Sequence, residues 1–262
     1  MNPDELKPGS LDEYLRTVTP VEREIKRLFR DRTPLVIFDI GACEGEESIR
    51  YSRCLPQAKI YSFEPLPANQ RLVEINFARF GIQSAELVRV ALSDREGTAE
   101  FHVSSGTPPV NFAGEDWNYG NKSSSLLPPA SGDPMFGWVK FDEKITVKTE
   151  TLDAFVSERA IGRIDFIHMD VQGAEHMVLA GAKRSLVNTS AVWLETSKVE
   201  LYRGQRLRNE TEDSMRAAGF AKILDLQRDV EGDQFYVNKR HFGLNPYIAF
   251  RRLVALLRGR SP

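Results

Sequence analysis

Short apolar runs alternate along the chain with stretches whose apolar residues recur at helical spacing. The runs cover Leu35–Ile40, 59–63, 86–91, Ile164–Met169 and 191–194, with helical patterns near 46–54, 67–80, 151–159 and 173–186. Continuous apolar strands that alternate with helices predict a parallel sheet covered on both faces. This is a doubly wound α/β domain with right-handed crossovers. Residues 97–103 alternate instead, with Ala99, Phe101 and Val103 on one face, which predicts an extra half-exposed strand. Near the end, 221–226 and 234–237 flank the turn-rich stretch 228–233, as a closing antiparallel hairpin would. Ahead of the first strand, Thr19-Pro20-Val21-Glu22 reads as a helix start with a capping box, followed by Val21, Ile25, Leu28 and Phe29 in one stripe.

Three regions stand apart from this rhythm. Residues 1–18 are polar and read as an arm, so residues 1–33 form an N-terminal arm and helix ahead of a domain over 34–240. Within that domain, 104–138 is rich in Ser, Gly, Pro and Asn yet carries Trp117, Tyr119, Phe136 and Trp138. So long an irregular stretch in a compact domain is functional or disordered, and its aromatics favour a partly ordered loop over a substrate. Ser123-Ser124-Ser125, after Asn121-Lys122, fits a mobile covering loop and a plain polar linker about equally well. Finally, 241–262 is a basic tail in which Pro246 to Arg258 has an amphipathic helical pattern. Docking on the domain or packing between copies suits it better than a membrane surface, since one short helix holds lipid weakly. A homo-oligomer through this tail or the N-terminal helix is therefore an expectation.

Composition narrows the classes. Of 262 residues, 41% are hydrophobic and 27% charged, which is ordinary for a folded globular chain. Thirty-five Lys and Arg against 37 Asp and Glu leave a net charge of −2, without the basic excess of a nucleic-acid binder. No apolar stretch approaches the roughly 20 residues that span a bilayer, and the acidic start MNPDELKPGSLDEYL has no signal-peptide core. Two cysteines, Cys43 and Cys54, offer no disulfide framework, so a cytoplasmic setting is expected.

The first chemical signal is Phe38-Asp39-Ile40-Gly41-Ala42-Cys43-Glu44-Gly45, where the first strand should end. Its glycines permit a sharp turn and close approach to a ligand, and ligands of such sheets gather at the carboxyl ends of strands. Gly-x-x-x-Gly is not the dinucleotide spacing, and no phosphate-gripping Gly-Lys-Ser/Thr follows. An NAD oxidoreductase is thereby disfavoured. Asp39 and Glu44 would repel a pyrophosphate but suit the cationic S-adenosylmethionine. Glu64, in Ser62-Phe63-Glu64-Pro65, lies 25 residues after Asp39, where a carboxylate can accept from both ribose hydroxyls. Asp170-Val171-Gln172-Gly173-Ala174-Glu175 supplies a third carboxylate past a buried strand, and Trp193-Leu194-Glu195-Thr196 a fourth on the same rim. The plainer view of Asp170 and Glu175 is a helix cap and a dipole partner.

Together, Phe38-Asp39-Ile40-Gly41-Ala42, Phe63-Glu64-Pro65, Ala91-Leu92-Ser93-Asp94, Ile164-Asp165-Phe166-Ile167, Asp170-Val171-Gln172-Gly173-Ala174-Glu175 and Leu179-Ala180-Gly181-Ala182 resemble the FkbM family of S-adenosylmethionine-dependent methyltransferases over about 34–240. The resemblance implies a class I methyltransferase fold (Rossmann-like) and O-methylation, often of a sugar or polyketide hydroxyl. It implies that Asp39, Gly41, Ala42 and Gly45 line the methionine side, that Glu64 with Pro65 holds the ribose, that Ala91 and Leu92 border the adenine, and that Asp170 sits at the methyl-transfer end. Two positions depart from the family pattern: His168 stands where it keeps Lys, and Gln172 where it keeps Glu.

Methyl transfer to an alcohol is an in-line displacement that gains from alignment, exclusion of water and a base. Asp170 is the first candidate base and Glu195 supports it. His168, which strand alternation places on the face of Asp170, is a third candidate, although its place inside the strand also fits a hydrogen-bonded core histidine. His176 reads as structural or solvated. Asp170, Glu195 and His168 could offer hard ligands to a divalent cation, but no spacing signature calls for a metal. The expected function is an S-adenosylmethionine-dependent O-methyltransferase of a small hydroxylated acceptor, a sugar or natural product; the alternative is a non-catalytic cofactor-binding or scaffold module.

Overall fold

A computed structural model describes residues 9–109, 117–130, 137–242 and 247–249. Helices α1 (Leu11–Arg16) and α2 (Pro20–Phe29) precede β1 (Leu35–Ile40), α3 (Glu46–Cys54), β2 (Ala58–Phe63), α4 (Pro67–Phe80) and β3 (Ala85–Val88). Next come β4 (Ala91–Leu92), β5 (Gly97–Ser105), β6 (Lys140–Glu150), α5 (Leu152–Glu158), β7 (Ile164–Met169), α6 (Glu175–Ala180) and β8 (Thr189–Ser197). The remaining elements are α7 (Arg208–Ala217), β9 (Phe220–Gln227), β10 (Glu231–Asn238) and α8 (Lys239–Phe242).

Seven strands form the main sheet in the order β3-β2-β1-β7-β8-β10-β9. The first five run parallel, and β10 pairs antiparallel with both β8 and β9. This is the expected doubly wound sheet closed by an antiparallel hairpin. Its winding reverses between β1 and β7, and a crevice opens there at the strands' carboxyl ends. Both faces are covered, which explains the unbroken apolar runs. Leu35 and Ile37 pack with Ile25, Phe29 and Tyr51 on one side, while Phe38 and Ile40 pack with Phe155, Met169 and Val178 on the other.

A second, three-stranded sheet, β4-β6-β5, stands over that crevice. Residues 86–91, read as one strand, divide between the two sheets. Their break falls at Arg89, whose guanidinium pairs with Glu74, and Val90 and Ala91 then turn inward. The eleven residues of β6 were not expected as a strand because charge masks their alternation. Val147 and Thr149 are buried and Phe141 and Ile145 half-buried, while Lys140, Asp142, Lys144, Thr146 and Lys148 face solvent.

Other differences have local causes. The polar arm contains α1, capped by Ser10, and buries Leu11 against Trp117 and Tyr119. Thr19 accepts from the Glu22 amide and Pro20 opens α2 as expected, but the Glu22 carboxylate is taken by Lys26 and Arg50. The helix expected over 173–186 stops at Gly181, where a Cβ would lie 2.1 Å from the Ser93 carbonyl oxygen. A 3-10 turn over Ser185–Asn188 follows. Of the basic tail, 243–246 and 250–262 lie outside the described residues. Ile248 is buried, and Tyr247 sits beneath Arg27 and donates to Glu24. Among the described residues no helix is long and apolar enough to cross a membrane.

Candidate functional site

The loops that leave β1, β2 and β7 enclose a cleft of about 540 Å³, its open mouth included. Gly41 lies where two of these loops touch. It adopts a φ of +89°, and a Cβ there would come within 1.8 Å of the Asp170 carbonyl oxygen. No other residue fits at that distance, so the glycine allows the β1 and β7 loops to close on one another. The Gly41 and Ala42 amides both donate to the Phe63 carbonyl oxygen, which ties in the loop after β2. Cys43 and Gln172, both on the cleft wall, also adopt left-handed backbones, at φ 49° and 55°. Strain of this kind is held in place only by surrounding structure.

Glu64 is 4% exposed and accepts from two backbone amides, Cys43 at 2.9 Å through Oε2 and Leu66 at 2.8 Å through Oε1. Burial pushes its carboxyl up to about 8, against the pull of those amides. Across the cleft, Asp170 accepts from Gln172 Nε2 at 2.7 Å, and the same amide nitrogen reaches Glu195 Oε2 at 3.2 Å. Burial first, and then the charge of Asp170, push the Glu195 carboxyl well above the ordinary carboxylate range. The Gln172 carbonyl oxygen accepts from Ser125 Oγ at 2.7 Å. Tyr202 OH lies 2.8 Å from the Ser123 carbonyl oxygen and 2.9 Å from Gln172 Oε1, with one proton to give. Glu175, not Asp170, braces the turn before α6, accepting from the Val171 and Gly173 amides. Asp170, Glu175 and Glu195 bring ligand atoms within 4.8 Å of one another, a group able to hold a hard cation.

Gly41, Glu64, Pro65, Ala91, Leu92 and Asp170 line the cleft, and Glu195 stands behind Asp170 through Gln172. Asp39, Ala42, Gly45 and His168 do not line it. Asp39 and His168 are register neighbours on β1 and β7 and turn to the side packed by α3. There Asp39 accepts from Ser48 Oγ at 2.5 Å, and His168 Nδ1 meets Tyr51 OH at 2.5 Å. Burial raises the Asp39 carboxyl to about 6. His168 stays inside β7, whereas Asp170 lies beyond the strand end, where alternation no longer applies. Gly45 begins α3 with a left-handed φ of +82°, beside Phe77.

The segment 117–130 contributes walls that motif reasoning missed. Trp117 Nε1 donates to Glu44 Oε2 at 3.0 Å, Asn121 Nδ2 to Glu44 Oε1 at 2.9 Å, and Lys122 Nζ to Glu46 Oε1 at 2.8 Å. Lys122 also lies 4.0 Å over the Trp117 ring. Phe101 and Leu126 cluster with Leu66, Ala91 and Val147 to form an apolar roof. The only signal in the sequence was aromatics inside a Ser/Gly/Asn-rich stretch. Burial drives the Cys43 thiol upward, away from thiolate chemistry.

The family model described as Methyltransferase FkbM domain matches residues 39–222. The 2-O-methyltransferase NoeI of Sinorhizobium fredii (strain NBRC 101917 / NGR234) is 34% identical over 220 residues, which is 84% of this chain and 86% of that protein. Methyltransferase sdnD of Sordaria araneosa is 28% identical over 158 residues, 55% of this chain and 59% of its own. Among solved structures, the N-terminal domain of EvdMO1 in the presence of SAH and D-fucose gives a TM-score of 0.46 at 11% identity, covering 83% of this chain and 80% of that one.

Proposed function

The chain belongs to the FkbM family of S-adenosylmethionine-dependent methyltransferases, and from that premise we propose that it methylates a hydroxyl oxygen of a small acceptor, a sugar, glycan or natural product. The observation that carries this is the placement of Glu64 and Asp170 on facing walls of one cleft at the reversal point of the sheet. The similarity to a protein named 2-O-methyltransferase supports oxygen as the target.

The cleft suits the cofactor's parts. Val90, Ala91, Leu92 and Phe101 offer apolar walls to an adenine, and Glu64 offers lone pairs to two ribose hydroxyls. S-adenosylmethionine would supply an electrophilic methyl on a positively charged sulfur. Gly41 would let the chain lie close along the methionine side. Asp170 would take the acceptor hydroxyl's proton on a carboxylate oxygen, while Gln172 Nε2 fixes the direction of that carboxylate. The apolar roof above would exclude water.

The test uses methyl-labelled cofactor with a panel of sugars and natural products, read by mass spectrometry. The expected result is one labelled methyl on an acceptor oxygen. Label on nitrogen or carbon would defeat the assignment to oxygen. Binding of S-adenosylhomocysteine with no labelled acceptor across the panel would favour a non-catalytic module.

A pH dependence follows from Glu64. Below about pH 8 the free protein holds this carboxyl protonated, whereas the ribose hydroxyls donate best to its ionised form. Binding then releases a proton, and affinity climbs as pH rises through 8. S-adenosylhomocysteine should bind about tenfold tighter at pH 9 than at pH 7, from a one-site titration centred near 8. Calorimetry in two buffers of different ionisation enthalpy measures both the gain and the proton. A flat profile in the native protein would show that binding does not draw a proton from Glu64.

A further inference from the structure

The insert carries two polar groups on the cleft wall that the scheme above does not use. Asn121 is 9% exposed, and its Oδ1 is buried without a hydrogen-bond partner among the described residues. Its amide orientation is set by its surroundings. Nδ2 donates to Glu44 Oε1 at 2.9 Å and to Asn69 Oδ1 at 3.1 Å, and turning the amide over would set oxygen against both. A buried acceptor left empty is costly, so it marks a place where a donor belongs. The next residue, Lys122, also lines the cleft, and its Nζ is held between Glu46 Oε1 and the Trp117 ring. Nζ also lies 3.9 Å from Cys43 Sγ and 4.0 Å from Glu44 Oε1, so of the ammonium's three donors only the one to Glu46 is in a short hydrogen bond.

The cofactor has one anionic group, its α-carboxylate, and the α-ammonium sits on the same carbon. A cation and an orphaned acceptor on adjacent residues match that pair. Lys122 would repel the sulfonium, so it fits the end of the ligand farthest from the reacting sulfur. Glu64 already offers acceptors to the ribose hydroxyls. We propose that the insert reads the amino-acid end of the cofactor, with Lys122 Nζ on the α-carboxylate and Asn121 Oδ1 accepting from the α-ammonium. This rests on the cofactor assignment above and gives the segment 117–126 a binding role besides covering the acceptor.

The experiment titrates S-adenosylhomocysteine and 5′-methylthioadenosine, which keeps the adenosine and thioether but lacks the amino acid, into the native protein, Lys122→Met, Lys122→Arg and Asn121→Ala. Lys122→Met and Asn121→Ala should each bind S-adenosylhomocysteine about tenfold or more weakly, as for loss of a charge-assisted hydrogen bond. Both should keep methylthioadenosine affinity within about twofold, and Lys122→Arg should recover most of the loss. Equal losses for the two ligands, or none for either, would overturn the proposal. If a variant fails to fold, the native protein is titrated with decarboxylated S-adenosylhomocysteine, which should bind about tenfold more weakly than the parent; equal binding overturns it. A native protein that binds neither S-adenosylhomocysteine nor methylthioadenosine would instead sink the cofactor assignment, and the inference with it.

Discussion

Asp170→Asn is expected to slow methyl transfer by about 10²- to 10⁴-fold, the range for losing a positioned base, while S-adenosylhomocysteine affinity changes by less than about threefold. Asparagine has nearly the same shape, and its Oδ1 can still accept from Gln172 Nε2, so the wall of the cleft is kept. What it loses is an oxygen able to take a proton. The contact that joins the two loops uses the Asp170 backbone carbonyl and is untouched by the change. Single-turnover transfer measured beside calorimetry separates the two effects. A variant that transfers at the native rate would show that Asp170 is not the base. Glu195→Gln should cost less, because Glu195 acts through Gln172 and burial already raises its carboxyl.

The second large effect is on folding. Gly41→Ala is expected to destabilise the protein by about 3 kcal/mol or more and to abolish cofactor binding. Its Cβ would have to displace the Asp170 carbonyl oxygen, 1.8 Å away, and its backbone would carry a φ of +89°. Gly81→Ala is the matched control. Gly81 closes α4 at φ +65° with nothing within 4 Å of the added carbon, so only the left-handed penalty of about 1 kcal/mol applies. Urea titrations of both variants test the difference. Similar midpoints for the two would mean that loop contact at Gly41 is not what holds the β1 and β7 ends together.

Much of this geometry was legible because burial imposes simple patterns. β1 and β7 were readable as unbroken apolar runs since helices cover both their faces, and Glu64 was readable because it follows such a run directly. β6 escaped since only one of its faces is covered and charges fill the other. Parity along β1 groups Asp39 with Leu35 and Ile37, but nothing in the chain says which face meets the cleft; Tyr51 and Ser48 decide it by packing there from α3. Asn121 and Lys122 escaped for another reason. Their partners, Glu44 and Glu46, lie more than 70 residues earlier in the chain, and no local periodicity records so distant a contact.

The fastening of the insert to Glu44 and Glu46 bears on how acceptor preference could be re-engineered. A graft that transplants residues 104–138 from a homologue would also replace Trp117, Asn121 and Lys122, and would leave the buried Glu44 and the half-buried Glu46 without these side-chain donors. Chimeras of this kind should therefore retain fold and cofactor only when the two anchoring glutamates travel with the transplanted segment.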